Sequence, residues 1–261
     1  MIEKLNAILA LFTPERPEWA AADVANALSI PRSTSYRLLS RISGAGFIDT
    51  DRASGRYRLG LRVASLGVIA QRSTALQRAA YPVLQRLAWE SQETAALLVR
   101  LDSHAVLSAM ADGPRSPVSP LLGERTPLHA TAGGRAILSA LPDEERRTML
   151  RGSLASATAT AIPDPAALDG ALLDAREAGV SVMRGGAWRD GDVGVASPVR
   201  NPGRSVVSSV MLAGPASRLT DARVQELGAL VAQAAAEVAL AYRALEATLR
   251  SDDVGARAVA G

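Results

Sequence analysis

The sequence has 261 residues, of which 48% are hydrophobic and 21% charged, so it is long enough for two domains and typical of a folded globular protein. It contains no cysteine and only two histidines, His104 and His129, which excludes disulfides, thiolate metal sites and thiol nucleophiles. We expect neither a metal nor a cofactor. No apolar run reaches the ~18 residues of a membrane span, and the start of the chain lacks a signal-peptide pattern, so we expect a cytoplasmic protein with no membrane partner.

Positive charge is concentrated in the N-terminal third of the chain. Between Val24 and Trp89, ten arginines stand against two acidic residues, Asp49 and Asp51, which gives this window a net charge of +8 although the whole chain carries +3. Such a basic region is expected where a domain neutralises the phosphates of a nucleic acid. A solvated basic face or an acidic protein partner would give the same pattern, so charge alone leaves these alternatives open.

The first 44 residues predict three short helices. Apolar residues recur at helical spacing from Ile2 to Phe12, and the proline-containing stretch from Pro14 to Pro17 ends that helix. A second helix is predicted from about Ala20 to Leu28. The third is predicted from Arg32 to Gly44, directly after Pro31, which suits the first turn of a helix.

A basic hairpin is predicted after the third helix. Two β-prone stretches, Phe47 to Asp49 and Arg56 to Leu59, flank a turn-forming segment from Thr50 to Gly55. Three helices, the last two joined by a tight turn, followed by a hairpin make a winged helix-turn-helix. In that arrangement the third helix enters the major groove and the hairpin reaches the backbone or the minor groove. Residues 1–60 are therefore predicted to form a DNA-binding domain.

The remainder of the chain alternates strands and helices, which predicts an α+β architecture with a second domain over residues 78–250. The segment 61–77 is predicted as a linker helix whose apolar surface pairs with a second copy of the chain. Residues 251–261 are predicted to be a flexible tail. The predicted strands are Thr94–Leu101, Ala105–Met110, Val180–Met183, Val193–Val199 and Val206–Leu212, and the predicted helices are Ala79–Glu93, Thr131–Leu141, Asp143–Leu150, Pro165–Ala178 and Leu219–Leu249.

Three motifs resemble those of the IclR family of bacterial transcriptional regulators. The first combines Pro31 to Leu39 with the later Tyr57-Arg58-Leu59-Gly60, the second runs from Gly123 to Leu138, and the third from Gly191 to Val199. They occur in the family's order, and the resemblance spans about residues 5–242.

This resemblance implies a winged helix-turn-helix domain, a dimerising linker helix and a GAF-like α/β domain that binds a small-molecule effector. It also implies a homodimer or homotetramer that acts on partly palindromic operator DNA, with repression of transcription favoured over activation. Two departures stand out. The first is Arg135, which replaces the motif's usual lysine. The second concerns the later strands, where Gly194 stands at a position that is cysteine in many relatives and Arg184 to Trp188 replace an acidic pair. We therefore expect an effector different from the small oxoacids of some relatives, with organic acids and aromatic metabolites as candidates.

The predicted DNA contacts lie at the start of the third helix and in the hairpin. Hydroxyl and guanidinium groups there can reach base edges and phosphates, although Ser33 and Thr34 could instead cap the helix, and Thr34 and Tyr36 could be packing residues. Arg41, Arg52 and Arg56 are expected to contact phosphates rather than bases. The full predicted set is Arg32, Ser33, Thr34, Ser35, Tyr36, Arg37, Arg41, Arg52 and Arg56.

The predicted effector site begins at the helix that Thr131 opens. Small residues and free N–H groups at the positive end of a helix can receive a polar or anionic ligand, although a glycine there could serve backbone geometry alone. Arg184 could pair with a carboxylate or lie in solvent, and His129 is expected to be a packing residue. With the strand positions that the resemblance adds, the predicted set is Ala132, Gly133, Arg184, Gly194, Val195, Ser209 and Met211.

The sequence carries no hydrolase nucleophile elbow, phosphate-binding loop or paired-histidine metalloprotease motif, so we expect no enzymatic activity. The prediction is therefore an effector-responsive, DNA-binding transcriptional regulator. The alternative is a small-molecule sensor whose winged helix mediates protein contacts without binding DNA.

Overall fold

The chain divides into two compact units, Met1–Ser73 and Thr74–Gly261. The computed structural model describes residues 2–13, 16–115, 121–155, 164–185, 191–200 and 208–259. The division falls inside the segment 61–77, which was predicted to be one helix. A new helix begins there because the Thr74 hydroxyl caps it, accepting a hydrogen bond from the Gln77 N–H at 3.4 Å.

The N-terminal unit contains four helices and a small antiparallel sheet among its described residues. The helices are α1 (Ile2–Leu9), α2 (Ala21–Ala27), α3 (Arg32–Gly44) and α4 (Leu61–Ser73), and the strands are β1 (Glu18–Trp19), β2 (Ile48–Thr50) and β3 (Tyr57–Leu59). Strand β3 lies between β1 and β2, with Tyr57 opposite both Trp19 and Thr50. The hairpin β2–β3 confirms the predicted basic hairpin, which we call the wing. Sequence reasoning missed β1.

Apolar side chains from every layer of this unit meet in one core. Ile8, Val24, Leu39 and Ile48 are fully buried, and Trp19 closes the cluster while its indole N–H donates to the Leu11 carbonyl at 2.9 Å. Burial of this cluster fixes which face of α3 points inward, and so it also decides which residues remain exposed.

The C-terminal unit is built on one antiparallel sheet with the strand order β6-β5-β4-β9-β8-β7. Its strands are β4 (Thr94–Leu101), β5 (His104–Ala111), β6 (Arg125–Pro127), β7 (Ser181–Arg184), β8 (Asp192–Pro198) and β9 (Ser208–Pro215). Its helices are α5 (Ala75–Ser91), α6 (Ala132–Ala140), α7 (Asp143–Ala155), α8 (Pro165–Ala178) and α9 (Asp221–Val259). The α/β composition is confirmed. Residues 206 and 207 of the predicted strand Val206–Leu212 lie outside the described residues.

Two apolar clusters cover the two faces of this sheet. On one face, α6 and α8 pack on a cluster that includes Leu98, Ala196 and Met211, and we call this the α6 face. On the other, α5 and α9 pack on a cluster that includes Leu97 and Val195, and we call this the α9 face. Because successive residues of a strand point to opposite faces, two residues that are adjacent in a strand lie on different faces of the sheet.

Helix α9 is longer than the sequence suggested. It continues to Val259, beyond the predicted end at Leu249, and the flexibility of residues 251–261 stays a prediction. Within the described residues, the stretch Asp221–Thr248 is the one helix whose length and apolar character would allow it to cross a membrane. Here it packs as a core helix through Leu227, Val231 and Val238.

Candidate functional sites

Helix α3 presents a continuous polar and basic face to solvent. Its exposed residues recur at three- and four-residue spacing and so form one stripe, which comprises Ser33, Tyr36, Arg37, Ser40 and Arg41. The Tyr36 side chain is 57% exposed, so the packing alternative for this residue is wrong. Arg32 is exposed at the first turn of the helix.

The hydroxyl groups of Ser33 and Thr34 do not cap the start of α3. Pro31 occupies the N-cap position, and no side chain caps the helix. The N–H groups of Thr34 and Ser35 instead donate to the Pro31 carbonyl, each at 3.0 Å. The capping role considered for Ser33 and Thr34 is therefore not found. Ser33 is exposed and Thr34 is half-buried, which leaves both side chains near the exposed stripe.

Ser35 corrects the predicted contact set. It is fully buried, and its hydroxyl donates a 2.8 Å hydrogen bond to the carbonyl of Ala21 at the start of α2. This bond fastens the two helices of the helix-turn-helix to each other. A buried and bonded hydroxyl cannot contact DNA in this conformation, so Ser35 is a structural residue.

The wing carries its cations on an ordered turn. The Asp51 carboxylate accepts hydrogen bonds from the N–H groups of Ser54 at 2.8 Å and Ala53 at 2.9 Å, and from the Ser54 hydroxyl at 3.0 Å. These hydrogen bonds lower the pKa of Asp51, and those from Ser54 have the largest effect. The turn holds Arg52 and Arg56 in exposed positions at the tip.

The basic groups of this surface have no protein partner in the described part of the chain. Within the described ranges, no hydrogen bond or ion pair holds the guanidinium groups of Arg32, Arg37, Arg41, Arg52 and Arg56. Five uncommitted cations on one helix and one hairpin of the same unit form an anion-binding surface suited to a phosphate backbone.

In the C-terminal unit, the first turn of α6 lies against the sheet. The Thr131 hydroxyl caps the helix by accepting from the Gly134 N–H at 3.0 Å. The Gly133 carbonyl accepts a 3.0 Å hydrogen bond from the Ser209 hydroxyl, and a Cβ at Gly133 would lie 3.0 Å from both Leu98 methyl groups. A methyl group at this position would press on the Leu98 and Ser209 side chains, which would have to shift by a few tenths of an ångström to accept it.

Five of the seven predicted effector residues come together on the α6 face. Ala132 and Gly133 open the helix, while Ser209 and Met211 lie on β9 below it. Gly194 pairs with Ala213 of the α6-face cluster, and strand alternation places it on the same face. All of these residues are buried.

The other two predicted effector residues lie on the opposite face. Val195 belongs to the α9-face cluster and pairs with Leu212 of the same cluster. Arg184 forms an ion pair with Asp221 and donates to the Leu219 carbonyl at 3.2 Å, at the start of α9. Neither residue therefore lies under α6, and Arg184 tethers β7 to α9. Trp188, named with Arg184 as a departure from the family, lies outside the described residues.

The residue that replaces the family's lysine has a structural role in this conformation. The Arg135 Nε–H donates to the His129 carbonyl at 2.7 Å, and burial lowers the pKa of the Arg135 guanidinium. His129 is itself buried, and its Nδ1 lies 2.7 Å from the Ser153 hydroxyl oxygen. The packing role predicted for His129 is confirmed, and the network joins the start of α6 to α7.

Comparisons with known proteins agree with both units. The model of the IclR helix-turn-helix domain matches residues 2–52, and that of the bacterial transcriptional regulator IclR C-terminal domain matches residues 69–240. The HTH-type transcriptional repressor AllR of Escherichia coli K12 is 31% identical over 246 residues, which cover 92% of this chain and 89% of the relative. The chain belongs to the IclR family.

Solved structures of IclR proteins share the fold. A putative IclR transcriptional regulator from Silicibacter matches with a TM-score of 0.80 and 24% identity, over 92% of this chain and 95% of that one. An IclR homolog from Microbacterium hydrocarbonoxydans, solved in complex with 4-hydroxybenzoate, matches with a TM-score of 0.73 and 23% identity, over 93% and 99%. This IclR protein is a DNA-binding transcriptional regulator and not an enzyme.

Two residues of the N-terminal unit of this IclR protein, Ser40 and Arg62, are not among those predicted from the sequence. Ser40 lies one turn after Tyr36 and Arg37 on the exposed stripe of α3. Its position follows from the helical period, which would have identified it had the exposed face been read to the end of the helix. Arg62 contacts the end of α3 across seventeen residues of sequence, and no local pattern signals that contact.

Proposed function

We propose that this chain is an effector-responsive transcriptional repressor that binds a partly palindromic operator as a homodimer or a dimer of dimers in the cytoplasm. The single observation that carries the proposal is the exposed stripe of α3 with the adjoining wing, where five arginines lack any protein partner in the described ranges. Repression is the sign proposed because the relative AllR is named a repressor.

The two parts of the basic surface have different roles in this proposal. Ser33, Tyr36 and Arg37 lie in the first half of α3, where residues of a recognition helix reach base edges in the major groove. A bidentate arginine contact to guanine contributes about 1–3 kcal/mol of discrimination. Arg41 lies further along the helix, and Arg52 and Arg56 are on the wing, so these three bind phosphates and contribute affinity without reading sequence.

The α6 face supplies the effector site of this proposal. The first-turn N–H groups of Ala132 and Gly133 have no acceptor within the helix and lie at its positive end, which favours a carboxylate. Gly194 and Met211 contribute small and apolar groups on the same face, and the Ser209 hydroxyl holds the first turn of α6 in place through its hydrogen bond to the Gly133 carbonyl. The IclR homolog that holds 4-hydroxybenzoate supports a small organic acid as the ligand class.

Regulation follows from linkage between the two sites. An effector that prefers one arrangement of the protein shifts the population toward it, and operator affinity changes by the difference in effector affinity between the arrangements. A coupling of this kind is typically 1–3 kcal/mol, or about 5–150-fold in affinity.

The DNA part is tested by fluorescence anisotropy with the chain's own upstream DNA and with random DNA of equal length, across a salt series. We expect preference for the upstream DNA and a steep loss of affinity with salt, because several phosphates are neutralised. Equal, weak binding to both DNAs at every salt concentration would contradict operator recognition. No binding to either would favour the protein-contact alternative.

The effector part is tested by titrating small aromatic and aliphatic carboxylates, beginning with 4-hydroxybenzoate, into the complex with upstream DNA. Gly133→Ala should abolish the response to the compound that acts on the wild type, because the added methyl intrudes between α6 and the sheet. Arg184→Gln is the control on the α9 face and should keep the response. The reverse result would move the ligand to the other face, and no response to any compound would contradict the acid class.

A further inference from the structure

The end of α3 and the beginning of α4 are joined by a close backbone contact. The Gly60 N–H, which directly precedes α4, donates to the Phe47 carbonyl at 2.9 Å. A Cβ at Gly60 would lie only 2.6 Å from the Gly46 carbonyl oxygen, and that oxygen belongs to the turn after α3. Any side chain at position 60 would therefore force these two segments apart.

Arg62 makes a second connection at the same place. Its guanidinium donates a 3.1 Å hydrogen bond to the carbonyl of Ala45, the C-cap residue of α3, and lies 5.4 Å from the centre of the Phe47 ring. A cation is favourable at the C-terminal end of a helix, where the backbone carries partial negative charge. Because Arg62 is exposed, this contact stabilises an orientation and contributes little to the fold.

The rest of α4 has no comparable anchor in the described part of the N-terminal unit. None of its described side chains is buried, and Leu61, Leu66 and Ile69 are 83%, 49% and 59% exposed. The direction of α4 relative to α3 is therefore set at the beginning of α4. Gly60 directly precedes the first turn of α4 and Arg62 lies in it, and both contact the segment that follows α3, from Ala45 to Phe47.

We propose that Gly60 and Arg62 are positioning residues that fix the angle between α4 and the recognition helix α3, and thereby set the operator half-site spacing that the protein accepts. The inference rests on the proposed function, in which two copies bind two half-sites. Half-sites of helix-turn-helix dimers lie about 34–36 Å apart. A small change in the angle between α4 and α3 displaces each α3 relative to its half-site. A rigid connection between the two helices therefore makes the protein selective for one half-site spacing.

The test uses full-length protein, a single half-site DNA and operators whose half-sites are separated by the natural spacing or by one or two additional base pairs. The wild type should lose affinity as the spacing changes. Arg62→Gln should bind the single half-site as the wild type does, but its penalty for altered spacing should fall by about fivefold or more. Gly60→Ala, which separates the two segments directly, should relax the spacing further.

Arg62→Lys is the matched control, because an ammonium group can donate to the same Ala45 carbonyl and preserves the charge. It should restore the spacing preference of the wild type. The salt dependence on the single half-site separates positioning from phosphate contact. A positioning residue leaves the slope unchanged, whereas a lost phosphate contact lowers it by about 1.

Three outcomes overturn the inference. If the wild type prefers one spacing and both Arg62→Gln and Gly60→Ala keep that preference, the joint does not set spacing although the proposed function stands. If Arg62→Gln lowers the salt slope on the half-site, Arg62 binds phosphate instead. If the wild type itself shows no spacing preference, two-half-site recognition fails and the inference fails with it.

Discussion

The two units of this IclR protein use arginine in opposite ways. In the N-terminal unit, the arginines of α3 and the wing are exposed, and no protein group within the described ranges holds them. In the C-terminal unit, many arginines are paired with carboxylates, and these include Arg86, Arg100, Arg146, Arg176, Arg184, Arg218 and Arg223.

The contrast distinguishes arginines that stabilise the fold from arginines that remain available to bind a ligand. Arg218 is a clear case of the first kind, because it binds both carboxylate oxygens of the buried Glu93, at 2.8 and 2.6 Å. That pairing raises the pKa of Arg218. Arg37 is a clear case of the second kind. A net charge of +8 in the sequence predicts a binding surface, but only geometry shows which arginines remain available for it.

The largest effect that tests this contrast is on stability. Arg218→Gln should destabilise the C-terminal unit by about 3 kcal/mol, because the Glu93 carboxylate is 4% exposed and would lose its cation. Arg86→Gln removes an exposed ion pair with Glu237 and should cost less than about 1 kcal/mol. Chemical denaturation of both variants measures the difference, and equal losses would contradict the structural role of Arg218.

A smaller effect, of about 1–3 kcal/mol, is expected in operator binding for Arg37→Ala. The variant should melt at the wild-type temperature, because Arg37 is exposed and makes no bond in the described structure. Arg147→Ala on α7 is the charge-matched control and should bind operator normally. Titration at matched salt decides the question, and an unchanged affinity for Arg37→Ala would remove this residue from the interface.

The buried hydrogen bond of Ser35 is expected to contribute about 1 kcal/mol to stability. Ser35→Ala deletes the buried hydrogen bond to the Ala21 carbonyl and should lower the free energy of unfolding of the N-terminal unit by that amount. Operator affinity of the folded variant should stay close to that of the wild type. Ser33→Ala is the matched control on the exposed stripe, with the opposite expectation. A large loss of affinity for Ser35→Ala without loss of stability would restore its direct contact.

The smallest effect concerns pH and the wing turn. Because hydrogen bonds from Ser54 and Ala53 lower the pKa of Asp51, their stabilising effect is present above the ordinary aspartate pKa of ~3.9 and is lost as the pH falls through the lowered value. The amide chemical shifts of Ser54 and Ala53 should therefore titrate below that ordinary value. Asp51→Asn should abolish the titration, and a midpoint at or above ~3.9 in the wild type would contradict the account.

Local patterns predicted the parts of the fold that they govern. Helix α3 was predicted with its observed ends, since Pro31 and the apolar spacing of Leu39 and Ile42 determine it. The wing was predicted because turn-forming residues separate two β-prone stretches. The small strand β1 was missed, since a two-residue strand is defined only by its pairing with β3.

The effector site was predicted less completely, because β8 gives no clue to its orientation. Every residue of β8 is buried, since helices cover both faces of the sheet, and a run without polar alternation does not show which side chains share a face. Val195 was therefore placed with Gly194, although the two point to opposite faces. Arg184 was misplaced for a related reason, because its partner Asp221 lies 37 residues away in sequence.

The most direct test of the account is the slope of log affinity against log salt for operator binding by two triple variants. Replacing Arg41, Arg52 and Arg56 with glutamine removes three uncommitted arginines from α3 and the wing, whereas replacing Arg78, Arg125 and Arg147 removes three exposed arginines from the C-terminal unit. We expect the first variant to reduce the magnitude of this negative slope by about three and the second to leave it unchanged. Equal slopes for the two variants would contradict the claim that the basic surface of the N-terminal unit is the DNA interface.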